Sequence, residues 1–272
     1  MDGAFILKPN QRINPVSQTQ RPLRAPFPLW MVPITILSIL LLWELASRWS
    51  GLPPFILPGP EAVGSRFLTA FQDGSLLRHT WATMVEVVGG LLLGFLSATI
   101  LGYVLAKSKT IEGLLAPYIV ASQSIPVVAI APLLVIWLGP GRLSKIMISA
   151  LIVFFPVLIN TIVGVRSVPE DLRDLMRSLR ATRWQVFTKL ELRAAMPVLL
   201  GGLKIGATLS VIGAVVGEIV GADEGLGFLI NIGRGVYDTT LVYVAVLTLV
   251  ILAMGLYTVV AGLERWLLAW RE

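Results

Sequence analysis

The sequence predicts an all-α integral membrane protein that crosses the bilayer six times. Of its 272 residues, 56% are hydrophobic and only 14% charged, whereas a soluble domain of this size carries about a quarter charged residues. Uncharged runs of 19 to 29 residues recur along the chain, and a crossing helix needs about 20 apolar residues. The remaining charges collect between those runs, 11 of them within the 31 residues from Arg166 to Met196.

Residues 1–28 are polar and basic, with Lys8, Arg12, Arg21 and Arg24 against Asp2. Their frequent Pro and Gln predict a flexible tail. No small-residue cleavage site follows the first apolar run, which therefore reads as an uncleaved span. Uncharged runs lie at 25–43, 87–106, 113–141, 146–165 and 239–263. A sixth, 197–221, is interrupted near its start by Lys204 and near its end by Glu218; the Lys204 amine is expected to reach the interface while its stem stays buried. Between the first two runs, Pro53-Pro54 and Pro58-Gly59-Pro60 punctuate a long connection, and 61–71 is predicted as a short interfacial helix. Gly89, Gly90, Gly94 and Gly102 in the second run favour close helix packing in lipid.

The third run is too long for one straight span. Pro117, Pro126 and Pro132 interrupt it and Gly139-Pro140-Gly141 ends it. Ser122-Gln123-Ser124 stands beside Pro126. Two readings fit: a broken helix lining a solute path, its freed carbonyls facing protein or a wet cavity, or a kink satisfied by neighbouring helices.

With the N-terminus inside, the inner segments hold 15 of the 22 Lys and Arg and the outer ones 6. The excess predicts both termini and the Arg166–Met196 stretch on the cytoplasmic side, and it puts Arg142 and Lys145 in an outer connection. The net charge of +6 follows from the same excess and implies no nucleic acid. Glu44, Glu86 and Glu218 lie in or near apolar runs, towards the outer ends of their helices. An intramembrane acid is a functional candidate by default; the plainer reading is contact with headgroups, or with Arg48 or Arg78. Glu218 precedes Gly225-Leu226-Gly227 and is placed to brace that turn or an outer gate. Gly221 to Tyr237 is too polar to span; it either dips into the outer leaflet or lies at the interface.

Catalytic constellations are missing from the sequence. With no cysteine and one histidine, His79, thiolate and His-rich metal sites are excluded, so no metal site is expected. Gly139 to Lys145 resembles a G-x-x-x-x-G-K-[ST] phosphate loop only superficially. Any ATP would be bound by another chain.

The charged stretch is helical by its spacing. Leu172, Leu175, Met176 and Leu179 fall on one helix face, and Pro169 suits the first turn. A second short helix is predicted after an N-cap at Thr182, with Trp184, Phe187 and Leu190 on one side. Such amphipathic helices either lie on the membrane surface or fill a groove on a soluble partner.

Asp174 to Pro197, with Gly202 and Lys204, resembles the EAA loop of ABC-importer permeases. That family's pattern is Glu-Ala-Ala, three residues, Gly-Ala, then a Phe and a Pro-x-x-x-Pro. Ala181, Phe187, Ala195, Pro197 and Gly202 match in spacing; Asp174-Leu175-Met176 replaces Glu-Ala-Ala, Arg180 the glycine and Arg193 the first proline. Val215 to Ile230 resembles the family's segment after span five, and Leu57-Pro58-Gly59-Pro60 with Val63 and Ser122 to Pro126 through Ala131-Pro132 are similar to the nitrate/sulfonate/taurine branch.

The resemblance, over about residues 50–265, implies a type I ABC-importer permease fold over 29–268. It also implies a coupling helix pair within 166–196, between spans four and five. Asp174, Leu175, Met176, Leu179, Arg180, Ala181, Arg183, Trp184 and Phe187 would then contact a separate ATPase subunit that binds ATP and Mg. A second permease copy, an external binding protein and a bacterial inner membrane are implied likewise. Ser122, Gln123, Ser124, Pro126 and Glu218 are path or gate candidates. The implied cargo is a small anion such as nitrate, a sulfonate or taurine, or an aromatic vitamin or precursor such as riboflavin or a thiamine pyrimidine. An ion-coupled secondary transporter is the alternative; it would want acids near the midplane and repeated halves, and the sequence shows neither.

Overall fold

A computed structural model describes residues 30–269; the predicted tail, 1–28, lies outside them. These residues form helices α1 (Met31–Trp49), α2 (Pro60–Gln72), α3 (Ser75–Lys107), α4 (Lys109–Gln123), α5 (Val127–Leu138), α6 (Arg142–Arg166) and α7 (Glu170–Ser178). There follow α8 (Arg183–Gln185), a π-helical turn (Val186–Glu191), α9 (Leu192–Gly221), α10 (Leu226–Gly235) and α11 (Thr239–Leu268). Five helices are long and apolar enough to cross a membrane, and α4 with α5 completes six if that bent pair is one span.

The pair meets at 93°. With 15 and 12 residues, neither leg reaches the roughly 30 Å of a hydrocarbon core at 1.5 Å per residue. The proline-punctuated third run is therefore broken rather than kinked. Pro126 is the hinge, its extended backbone capping α5, while Pro117 and Pro132 are carried inside helices.

α6 is the centre of the bundle, packed between α3 and α9, and small residues set the spacing. A Cβ on Gly90 would meet Ser149 Oγ at 2.2 Å, and one on Gly94 would meet the Ala150 carbonyl at 2.6 Å. The Gly90/Gly94 pair thus marks a real contact face. Across α6, a Cβ on Gly213 would stand 2.5 Å from Ser149 Cα, whereas Gly201 on the same helix has nothing within 4 Å. Ser149 also donates to the Ser210 carbonyl at 2.9 Å. Gly213→Ala is expected to destabilise by about 1–3 kcal/mol, since backbone cannot step aside cheaply. Gly201→Ala is expected to stabilise slightly, by helix propensity of up to about 1 kcal/mol. Thermal unfolding in detergent reads both, and equal midpoints would refute the packing account.

α1 stands apart, with no buried residue. Trp43 tethers it, donating to the Pro58 carbonyl at 3.0 Å and stacking on Tyr243 at 5.5 Å. α2 is the short helix expected over 61–71: Pro60 occupies its first turn, and Val63 and Ala70 are buried.

Three expectations are corrected. Lys145, assigned to a connection, lies in the first turns of α6 and is 2% exposed. Lys204 does not simply reach for the interface; it pairs with Glu264 at 2.5 Å. The second helix of the charged loop is not a separate short helix but the start of a continuous 39-residue helix, Arg183–Gly221. Arg193 stands at the position of the family's first proline and supplies the backbone N–H that a proline would lack, so the helix runs on.

Candidate functional site

One end of the bundle carries the charged loop. α7 begins after Pro169, has Glu170 and Asp171 in its first turn and Arg177 in its last, and so complements the helix dipole at both ends. Arg177 also pairs with Asp174 at 2.6 Å. Leu172, Leu175 and Leu179 are 42%, 53% and 68% exposed, and Met176 is half-buried. The helix therefore presents an apolar face that none of the described residues covers.

Arg180 ends α7 in the left-handed region, with φ +49°. The Ala181 N–H reaches the Met176 carbonyl at 3.0 Å and the Arg180 N–H that of Arg177 at 2.9 Å, the Schellman closure of a helix. Arg180, standing where the family's pattern has glycine, thus makes a left-handed turn and bears its strain. Arg180→Gly relieves roughly 1–2 kcal/mol of left-handed strain against roughly 0.4–1 kcal/mol for glycine's greater freedom when unfolded. The expected result is a small gain in thermal stability with the loop intact; a lower unfolding midpoint would contradict it.

Thr182 caps the next helix as expected, in a reciprocal box with Gln185: the Gln185 N–H donates to Thr182 Oγ1 at 3.3 Å and the Thr182 N–H to Gln185 Oε1 at 2.8 Å. Arg183 is exposed and Trp184 is 71% exposed. Trp184 leans on Phe187, which meets Tyr103 edge-on at 5.2 Å. Glu191 is 1% exposed and accepts from Tyr103 Oη at 2.9 Å and Lys107 Nζ at 2.5 Å. Arg166 clasps Glu112 at 2.8 and 2.5 Å. The loop is thus held to α3 and α4 at both its ends. Sequence reading missed Glu191, Tyr103 and Lys107; an acid closing a π-helical turn has no local signature.

At the opposite end, Glu218 braces the Gly225-Leu226-Gly227 turn. Its carboxylate accepts from Thr83 Oγ1 and from the Gly227 N–H, both at 2.6 Å. The Leu226 N–H donates to Thr83 Oγ1 at 2.8 Å and the Gly225 N–H to His79 Nδ1 at 3.0 Å. Three successive amides at the start of α10 are therefore capped by side chains of α3 and α9, and a carboxylate faces the positive end of the helix. Gly225 has φ +119°, and its Cβ would lie 2.2 Å from Glu218 Oε1, so only glycine fits. α10 itself buries Leu226, Gly227, Leu229 and Gly233.

Beside this cap, Lys145 Nζ lies 3.5 Å from Glu86 Oε1, both side chains almost fully buried. Glu86 pairs with Lys145 and not with Arg48, Arg78 or a headgroup. Glu44 does bond Arg48.

The bend candidates are exposed. Ser122 and Ser124 return their hydroxyls to the Tyr118 and Val120 carbonyls, and Gln123 closes α4 ahead of Pro126. No hydrogen bond joins this group to Glu218 among the described residues.

A broken span, a helical loop held to the bundle ends of two spans, and an exposed apolar face define a membrane-spanning subunit built to work with other proteins. The chain belongs to the family of binding-protein-dependent transport system inner membrane components, whose model matches residues 90–271. It is the permease subunit of a binding-protein-dependent ABC importer, a transporter component rather than an enzyme.

The chain is 44% identical over 247 residues (91% of this chain, 92% of the relative) to the riboflavin transport system permease protein RibX of Chloroflexus aurantiacus. It is 33% identical to the formylaminopyrimidine transport permease protein ThiX of Halalkalibacterium halodurans, covering 87% and 94% of the two chains. With the taurine transport system permease protein TauC of Escherichia coli it shares 31% identity, over 87% and 88%. A chain of the MetNI methionine ABC transporter has the same fold, with a TM-score of 0.62 at 21% identity, covering 70% of this chain and 94% of that one.

Proposed function

We propose that two copies of this chain enclose a solute path and carry a planar heteroaromatic vitamin or vitamin precursor, delivered by an external binding protein, into the cell. The permease domain is 29–268. Its loop, 166–196, and both termini face the cytoplasm, and the loop docks on an ATPase subunit that binds ATP and Mg. Asp174, Leu175, Met176, Leu179, Arg180, Ala181, Arg183, Trp184 and Phe187 form the contact.

The uncovered face of Leu172, Leu175, Leu179 and Trp184 among arginines carries this reading. An apolar stripe of this kind suits a groove on a partner. The unburied α1 and the exposed Ser122–Pro126 bend support a second copy across the path, with Ser122, Gln123, Ser124 and Pro126 lining it. Glu218 holds α10 as a gate at the outer end, and movement of the loop rocks the helices between two access states.

The cargo class rests on relatives named for riboflavin and formylaminopyrimidine at 44% and 33% identity; a relative named for taurine is 31% identical. The test is uptake of labelled riboflavin, formylaminopyrimidine and taurine into vesicles holding the permease, its ATPase and its binding protein. ATP-dependent uptake of an aromatic compound is expected. Uptake of taurine alone would overturn the cargo, and uptake without ATP would restore the ion-coupled alternative.

A further inference from the structure

A cavity of about 470 Å³ opens between α3, α6 and the π-helical turn, within the range of roughly 300–1,000 Å³ that ligand sites occupy. Ile100 and Trp184 on its walls are 68% and 71% exposed, so it is open to the surface. It lies beside the last turns of α3, where the apolar slab gives way to the charged loop. Val165, Ala195 and Leu199 are its buried apolar lining, and Val104 is a more exposed apolar wall. The lining residues include one cation, Arg183. Arg173 donates to the carbonyl of the wall residue Val165 at 3.0 Å, and its buried Nε has no hydrogen-bond partner among the described residues. Lys107 reaches in to Glu191, the one carboxylate among the lining residues, which Tyr103 also satisfies.

An apolar slot edged by Arg183, its one carboxylate already paired with Lys107, fits an anionic amphiphile. The chain's own N-terminal stretch is a poor occupant, because Lys8, Arg12, Arg21 and Arg24 would meet like charge. We propose that the cavity binds an anionic phospholipid of the cytoplasmic leaflet, one acyl chain filling the slot and the phosphate held by Arg183. Basic pockets between spans on the cytoplasmic side take such headgroups by charge, and guanidinium donors match phosphate oxygens. The lipid then packs beside the Trp184–Phe187–Tyr103 stack that joins the loop to α3, so leaflet composition sets how firmly the loop is backed.

The proposal rests on the orientation given under Proposed function. The assembled transporter is purified from membranes, and retained lipid is identified by native mass spectrometry, then exchanged in nanodiscs of phosphatidylglycerol or phosphatidylcholine. Wild-type protein is expected to keep a single anionic phospholipid per chain through detergent washing. Thr99→Phe and Val104→Trp, which fill the slot from α3, are expected to lower retention about tenfold or more. Arg183→Gln is expected to keep a lipid while losing the preference for phosphatidylglycerol. Equal retention by wild type and a folded slot-filling variant, equal retention of the two lipids by wild type, or a soluble cargo in the slot would overturn the site. Orientation is read separately. The chain has no cysteine, so Ser178→Cys reports by itself whether an impermeant maleimide reaches the loop from inside.

Discussion

Phe187→Ala is expected to leave the spans folded and separate ATP hydrolysis from uptake. Phe187 is the second of three aromatic rings that run from the exposed Trp184 to Tyr103 on α3. On the proposed docking, pressure on the loop would reach the bundle through them and through Glu191, locked to Tyr103 and Lys107. Truncating an interface aromatic of this kind costs about 2 kcal/mol or more, about thirtyfold in affinity. The ATPase is expected to bind the variant about that much more weakly, and at saturating ATPase less cargo moves per ATP hydrolysed. Because Phe187 is only half-buried, the unfolding midpoint moves little by comparison. Unchanged affinity together with unchanged transport per ATP would remove the loop from the coupling path.

Lys145→Met is expected to be among the most damaging single changes in the spans. Glu86 and Glu218 are each 1% exposed, and Lys145 is the cation that stands beside Glu86. Removing one member of a buried charged set costs about 3–5 kcal/mol, because the remaining charge is left uncompensated. Replacing both partners by apolar residues is often neutral or stabilising, so Lys145→Met with Glu86→Leu is expected to recover most of the loss. Thermal unfolding of both variants in detergent checks this. A Lys145→Met protein as stable as wild type, or a double variant worse than the single, would show that the pair is not a charge-compensated unit. Lys145→Met is also expected to weaken binding-protein-stimulated uptake beyond its effect on folding. The cluster adjoins Glu218, which with Thr83 and His79 holds the first amides of α10.

Local pattern made much of this legible. The spans are legible because twenty-odd uncharged residues in lipid leave a backbone little choice but helix. α7 is legible because Leu172, Leu175, Met176 and Leu179 share a face, and Thr182 because a cap bonds within three residues of itself. Even the role of Glu218 at the Gly225 turn was within reach, the two being separated by a short segment. The partners of these groups were not. Thr83 lies 135 residues from Glu218, and Tyr103 lies 88 from Glu191. Their meeting depends on which faces α3, α6 and α9 turn to one another, and small residues such as Gly90, Gly94 and Gly213 set that.

Lys145 shows the limit most clearly: counted along the chain it is a charge beside a connection, and packed against α3 it is a buried counter-ion. Arg180 shows another, since whether a non-glycine residue takes up left-handed strain depends on what the rest of the loop gains by the turn. Sequence alone therefore determined the class of protein, the number of hydrophobic segments and the amphipathic character of the loop, because each is a property of neighbours in the chain. The tertiary structure alone decided the right-angle break at Pro126, the continuity of the loop with α9, the two buried ionic clusters and the cavity. Those depend on contacts between segments far apart in the chain, whose free energy no local pattern records.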